Sequence, residues 1–219
     1  MKHGLLFLTL FFVQNAFALY GAKVEVSNDG YVVSLHNNGK NFCNGVLITP
    51  TKVLTAGHCI DIQGQEEFGN SHGLIYEPEK LIVTVGGVNI RARAVTLSQS
   101  YFEGLGLDAE DLALIELSAP VKNVKPISLA RKVDLVNQTK ITLITRNKKV
   151  SGVLSLAKSY GPVTALFIDK ASGACLGDSG GAVVINKNGE SKLAGILMYS
   201  GEETCMKKTG YAYFPKVQF

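Results

Sequence analysis

Short apolar runs rich in β-branched and aromatic residues recur along the chain, each four to seven residues long. Turn-forming Gly, Asn, Pro and Asp residues separate them, as at residues 37–39 and 186–189. No long stretch has the period of an amphipathic helix. The pattern predicts an all-β fold, a sandwich or barrels, with antiparallel strands. The clearest runs are residues 31–35, 46–49, 53–56, 81–85, 112–117, 140–145, 163–168, 182–185 and 193–199.

The length of 219 residues favours one compact unit, or two small units packed together. A chain of this size can bury a substantial core without metals or many cross-links. Residues 118–126 contain two prolines and form the best boundary between two halves. We see no internal repeat that would indicate a solenoid.

The first 18 residues have the composition of a secretory signal peptide. Lys2 and His3 precede an apolar run at residues 5–13, and Ala16 and Ala18 supply the small residues of a cleavage site. We therefore expect a secreted protein, extracellular or periplasmic, whose mature chain begins at Leu19. No other apolar stretch is long enough to cross a membrane, so we expect no membrane association.

The charge balance argues against nucleic-acid binding. The net charge is only +4, and the basic runs at residues 146–149 and 207–208 are short, with no interleaved aromatic residues. Solvated surface is the simpler interpretation. Nothing in the sequence suggests an oligomer, and we expect a monomer.

Four cysteines, at positions 43, 59, 175 and 205, become candidates for disulfides once export is predicted. Four cysteines allow three pairings, and their spacing alone does not choose among them. A zinc site is an alternative because His58 adjoins Cys59. We expect no metal, since the chain has no C-x-x-C pair and thiolates of exported proteins tend to oxidise.

Three segments carry residue types suited to nucleophilic catalysis. The first, residues 53–59, is an apolar run leading into a small-residue turn that holds His58. The second, residues 111–117, opens with Asp111 before a run apolar enough to be buried. The third, residues 175–181, surrounds Ser179 with glycines. Each alone has an ordinary structural explanation, but their joint occurrence in an exported chain favours function.

A serine hydroxyl is a weak nucleophile that needs a base to take its proton and a group to orient that base. Ser179, His58 and Asp111 provide these parts. Attack on an amide also needs backbone N–H groups held ready for the developing oxyanion. The turn from Gly177 to Ser179 is tight enough to aim two N–H groups at one point.

The three segments resemble the T-A-G-H-C, D-L-A-L-I-E-L and G-D-S-G-G motifs of trypsin/chymotrypsin-like serine peptidases. The likeness extends over most of the mature chain, including residues 31–35, 43–48, 120–129 and 195–201. It implies two antiparallel six-stranded β-barrels with the active site in the cleft between them. The implied division is a signal peptide at 1–18, a first barrel at 19–118, a crossover at 119–126 and a second barrel at 127–219.

The resemblance also implies a role for each matching residue. Ser179 is expected to be the nucleophile, His58 the general base and acid, and Asp111 the residue that orients His58. The backbone N–H groups of Gly177 and Ser179 are expected to form the oxyanion hole.

Further expectations concern activation and cross-links. The resemblance implies that Asp178 pairs with the amine of Leu19, which orders the oxyanion hole. Signal peptidase would then create the active terminus itself, without a propeptide. The implied disulfides are Cys43–Cys59 and Cys175–Cys205.

Two departures from the family pattern bear on activity and specificity. Met198 stands where a serine usually supports the triad aspartate, so Asp111 loses one expected donor. The specificity pocket aligns to Gly173, Ser200 and Ala212, which carry no charge. We therefore expect the pocket to prefer substrates with an apolar side chain on the residue N-terminal to the scissile bond. A basic preference needs an acid to reach the pocket, and the candidates are Asp169, Glu202 and Glu203.

The leading interpretation is a serine endopeptidase that acts on protein or peptide substrates without a cofactor. A protein inhibitor is a further partner that the resemblance allows. The main alternative is a catalytically weak or silent homologue that serves as a binding module. An α/β-hydrolase esterase is disfavoured, because its histidine would follow the serine in the chain, whereas His58 precedes Ser179.

Overall fold

The structure is a computed structural model that describes residues 19, 24–61, 75–98, 101, 111–146, 148–160, 163–168, 177–198 and 210–213. Its long elements in these ranges are strands, with short 3₁₀ turns at Gly57–Cys59, Pro78–Lys80 and Lys132–Asp134. No helix in the described parts of the chain could span a membrane. The all-β prediction is confirmed.

The strands, numbered in chain order, are β1 (Val24–Val26), β2 (Val32–Asn37), β3 (Lys40–Thr49), β4 (Lys52–Thr55), β5 (Leu81–Val85), β6 (Val88–Leu97), β7 (Ala113–Leu117), β8 (Ser128–Leu129), β9 (Thr139–Ile144), β10 (Lys148–Tyr160), β11 (Val163–Ile168), β12 (Ala182–Lys187), β13 (Glu190–Met198) and β14 (Gly210–Tyr213).

Six strands close the first barrel in the order β2-β3-β4-β7-β6-β5. Neighbouring strands are antiparallel throughout this ring. β5 shows why the pattern works, because Leu81, Val83 and Val85 are buried while the residues between them are partly exposed. The buried side chains of the six strands fill the barrel interior.

The second sheet has eight strands, six of which form a ring. The pairing runs β10-β11-β14-β13-β12-β9, and β9 pairs again with β10. Its core includes Leu143, Ile168 and Ala194. Two such rings match the expected double-barrel architecture.

Both short strands outside the rings belong to the second sheet. β8 pairs in parallel with β13. β1 pairs with β10, and Leu19 is buried in the second core, although both lie within the range 19–118 that the sequence assigned to the first barrel. The N-terminal segment therefore packs on the half of the molecule that carries Ser179.

The two barrels share buried contacts. Ile144, Ala182 and Ile196 of the second sheet belong to the same apolar cluster as the first barrel's core. The Ile127 N–H donates to the Leu47 carbonyl at 3.0 Å, which ties the segment after the first barrel back to β3. The end of β4 lies close to the Ser179 loop, since the Thr55 Oγ1 is 2.5 Å from the Cβ position of Gly180.

Candidate active site

His58 lies in the 3₁₀ turn that directly follows β4. Small residues permit this turn, since a Cβ on Gly57 would lie 2.8 Å from the Tyr101 ring and 3.0 Å from the Asp111 Oδ1. The next residue, Cys59, forms a disulfide with Cys43 of β3. The turn is thus attached to two neighbouring strands.

Asp111 stands two residues before β7, the strand that pairs with β4. Thr55 opposes Ala113 in that ladder, so the two strands deliver His58 and Asp111 to the same end of the barrel. The His58 Nδ1 lies 2.7 Å from the Asp111 Oδ2. The His58 backbone N–H donates to the Asp111 Oδ1, also at 2.7 Å.

The two groups shift each other's titration in the directions that a base and its orienting carboxylate need. Burial lowers the pKa of His58. The Asp111 charge and hydrogen bond raise it by more than burial lowers it, so the net pKa lies above its ordinary 6.5. Burial raises the pKa of Asp111, but the charge and hydrogen bonds of His58 outweigh this and leave it below its ordinary 3.8. Asp111 is therefore ionised at neutral pH.

Met198 stands where a serine was expected to donate a hydrogen bond to Asp111, so the donors that Asp111 has in this structure matter. Backbone N–H groups of His58 and Gly57 both favour the ionised form of Asp111. Met198 is half-buried at the end of β13 and packs on the first core. Asp111 is thus stabilised from its own barrel.

A buried tyrosine–aspartate pair beside Asp111 was not identified from the sequence. The Tyr101 hydroxyl donates to the Asp61 Oδ2 at 3.0 Å, and both side chains are buried. The negative charges of Asp111 and Asp61, together with burial as the largest cause, raise the pKa of Tyr101. Tyr101 therefore stays a neutral donor. Neither residue belongs to a motif, so nothing in the sequence pointed to them.

The Ser179 loop is a tight turn that sets the direction of its peptide groups. The Gly181 N–H donates to the Asp178 carbonyl at 2.9 Å, and Gly180 has φ +80°, as in a type II turn. Because a trans peptide points its C=O and N–H in opposite directions, the Ser179 N–H is turned away from Gly181. Gly177 has φ +88°, a value that also favours glycine.

Two strands from different barrels hold this loop. The Asn44 N–H of β3 donates to the Ser179 carbonyl at 2.8 Å. On the other side, the Gly180 N–H donates to the Leu197 carbonyl of β13 at 2.9 Å. Cys43, the neighbour of Asn44, is bonded to Cys59, the neighbour of His58. Short links therefore connect Ser179 with the His58 turn.

The remaining predicted residues fall into two groups. Leu19 is 1% exposed in the second core, and Asp178 is fully buried. Ala212 lies in β14, opposite Leu197 of β13. The other predicted residues lie outside the described ranges; they are Gly173, Ser200, Cys175 and Cys205, with Asp169, Glu202 and Glu203.

The zinc alternative can be judged from the disulfide. Ligand atoms of Cys43, His58 and Cys59 lie within 4.8 Å of one another. Both sulfur atoms are bonded to each other, so they are not thiolates available to a metal. This cluster is a cross-link beside His58.

The family model described as Trypsin matches residues 20–219. Similar proteins include the trypsin of Sus scrofa, 28% identical over 85% of this chain and 85% of its own. The alpha-fibrinogenase albofibrase of Trimeresurus albolabris is 26% identical over 90% of this chain and 83% of its own. Granzyme M of Rattus norvegicus is 27% identical, with 89% and 84% covered. The chain belongs to the trypsin family of serine peptidases.

Proposed function

We propose that this protein is an active serine endopeptidase that hydrolyses peptide bonds through an acyl-enzyme. The observation that carries the proposal is the 2.7 Å hydrogen bond between His58 and Asp111, beside a Ser179 loop that is bonded to the same barrel. A base oriented by a carboxylate is the arrangement that activates a serine hydroxyl.

The proposed reaction divides its steps among these groups. The Ser179 Oγ attacks the substrate carbonyl while the His58 Nε2 takes its proton. The His58 cation is stabilised by Asp111, and the proton then passes to the leaving amine. The N–H groups of Gly177 and Ser179 stabilise the oxyanion. Water then attacks the acyl carbon while His58 takes its proton, and His58 returns that proton to the Ser179 Oγ as the carbon–Oγ bond breaks and the acid is released.

The activation proposal concerns the N-terminus. Removal of residues 1–18 by signal peptidase would leave an amine on Leu19, with no propeptide. Two observations support a role for this residue: its side chain is buried in the second core, and the same core holds Leu197, which bonds the Ser179 loop. An ammonium beside the buried carboxylate of Asp178 would be a favourable pair. The proposed enzyme is secreted in its active form.

The first test is the intact mass of the secreted protein before and after a fluorophosphonate probe. We expect a chain that begins at Leu19, carries two disulfides, and gains one adduct on Ser179. His58→Ala should abolish the adduct, because the serine loses its base. His36→Ala is the matched control: His36 lies in β2, outside the three motifs, and its loss should leave labelling intact. A folded, correctly processed protein without an adduct would favour the binding-module alternative.

The second test concerns primary specificity, for which we propose an apolar preference. Gly173, Ser200 and Ala212 carry no charge that could pair with Arg or Lys. Chromogenic peptides that differ only in Phe, Leu, Ala or Arg before the scissile bond should be compared by kcat/KM. We expect Phe and Leu to exceed Arg by roughly tenfold or more, since an unpaired cation is costly in an uncharged pocket. A dominant Arg rate would refute the apolar pocket and direct attention to Asp169, Glu202 and Glu203.

A further inference from the structure

Asn44 is a buried polar side chain that connects the two barrels at the Ser179 loop. It follows Cys43 in β3 and is 4% exposed. Its Nδ2 donates to the Gly177 carbonyl at 2.9 Å and to the Ser179 carbonyl at 3.3 Å. Its Oδ1 accepts from the Arg146 backbone N–H at 3.1 Å.

The surroundings allow only one orientation of the Asn44 amide. Two carbonyl oxygens face one end and an N–H group faces the other. An inverted amide would place its oxygen against two carbonyls and leave buried donors unpaired, which is costly. The backbone of Asn44 is also engaged, with its N–H on Ser179 and its carbonyl accepting from the Thr55 hydroxyl at 2.7 Å. Bonds from Thr55 and Arg146 therefore hold Asn44 in place in addition to its contacts with the Ser179 loop.

The two carbonyls that Asn44 binds alternate along the chain with the N–H groups expected to form the oxyanion hole. Asn44 binds the carbonyls of Gly177 and Ser179, and the N–H groups of the same two residues are the expected donors of the hole. Asn44 holds the planar 177–178 and 179–180 peptides by their carbonyls, so the 178–179 peptide between them, which carries the Ser179 N–H, is restrained from both sides. The clamp also holds Gly177 at φ +88°, which that residue would otherwise leave freely.

We propose that Asn44 is a positioning residue that orders the oxyanion hole from the first barrel, in addition to the ordering by the N-terminal amine. The inference rests on the proposed peptidase function for its kinetic consequence. Its structural content, a clamp on residues 177–179, does not depend on that function. A consequence is that the loop keeps part of its order in a chain whose N-terminus has not been processed.

Two substitutions at Asn44 test the clamp. Asn44→Gly removes the amide. Asn44→Asp keeps its size and its acceptor for Arg146 but turns an oxygen toward the carbonyls of Gly177 and Ser179. We expect Asn44→Gly to lower kcat by roughly 10²-fold with little change in KM, because a misplaced hole acts on the transition state. Asn44→Asp should lower kcat by at least as much, although aspartate has nearly the same shape as asparagine.

A control variant tests whether a loss of stability alone could lower kcat. Its change in Tm should be comparable to that of Asn44→Gly. Ile115→Val truncates a fully buried side chain in β7 of the same barrel. At a temperature where all variants are folded, it should retain wild-type kcat. If its kcat falls as far as that of Asn44→Gly, or if the Asn44 variants change KM and kcat together, Asn44 is only a structural residue and the proposal is overturned.

Hydrogen exchange supplies a readout that needs no activity. In Asn44→Gly the amides of Gly180 and Gly181 should exchange faster, while those of β6 stay unchanged. Faster exchange in Asn44→Gly, together with no fluorophosphonate adduct on the wild-type chain, would retain the clamp and reject the peptidase function. Unchanged exchange in the Ser179 loop would overturn the clamp, whatever the fate of the proposed function.

Discussion

Asp111→Asn is expected to lower kcat on a peptide amide by about 10⁴-fold, the size of effect seen when this carboxylate is neutralised in the Ser-His-Asp triad. The Asp111 Oδ2 accepts from the Nδ1 of His58. An asparagine can instead place its amide donor at that position, which requires the His58 Nδ1 to be the acceptor. The proton then resides on Nε2, the nitrogen that should accept the Ser179 proton.

The pH profile of kcat/KM separates this effect from a general loss of structure. The base must be neutral to act, so activity falls as the pH drops through the pKa of His58. Asp111 is the group that raises this pKa above 6.5, and the wild-type acidic limb should therefore lie above pH 6.5. In Asp111→Asn only the lowering by burial remains, and the limb should move to lower pH.

Asp134→Asn is the matched control for the loss of one carboxylate. Asp134 makes ion pairs with Arg131 and Lys187, and none of these residues belongs to the three motifs. We expect wild-type kcat and an unchanged acidic limb. If Asp111→Asn loses less than about tenfold in kcat, or keeps the wild-type limb, then Asp111 does not orient the base as proposed.

The fold was predictable where a run of apolar residues coincides with a strand. β5 and β11 have the bounds that the apolar runs indicated, Leu81–Val85 and Val163–Ile168. β6 was not among the clear runs, because only Ala92 and Leu97 of its ten residues are buried. It is a strand because its backbone pairs with β5 and β7 on both sides. Such a strand is specified by its neighbours and leaves a weak pattern in the sequence.

The position of the N-terminal segment could not be read from sequence order. β1 lies near the first barrel in the chain but pairs with β10, where Val24 opposes Val150. Its three residues are exposed, so no apolar face indicates a partner. Burial of Leu19 in the second core completes the arrangement. Long-range pairing of this kind depends on which sheet edge is open, and local residue patterns do not record that.

The candidate site divides in the same way. His58, Asp111 and Ser179 were identified because each stands in a motif of several residues. Asn44 is a single polar residue after a cysteine, and its partner Ser179 is 135 positions away. Its contribution becomes visible only when the two barrels are packed together. Residues that position other groups across an interface are therefore the part of a site that sequence reasoning misses.

Gly180→Ala is expected to lower kcat/KM by about 10²–10³-fold, the cost of losing one oxyanion-hole donor. A Cβ at this position would overlap the Asn44 carbonyl oxygen and lie 2.5 Å from the Thr55 Oγ1. The Asn44 backbone cannot retreat easily, because β3 is paired on both sides and Cys43 is cross-linked. The Ser179 loop must move instead, and the N–H of Ser179 moves with it.

Gly189→Ala separates this overlap from the ordinary cost of a left-handed backbone. Gly189 has φ +81°, almost the value of Gly180, but nothing lies within 4 Å of its Cβ position in the β12–β13 turn. An alanine there should cost roughly 1–2 kcal/mol of stability and leave kcat/KM unchanged. Gly180→Ala should lose more stability and show faster exchange at Gly181, measured by thermal unfolding and hydrogen exchange. Equal Tm losses with wild-type kcat/KM in both variants would mean that the Ser179 loop tolerates a shift from β3. In that case the tight contact between Gly180 and Asn44 does not determine the position of Ser179 relative to His58.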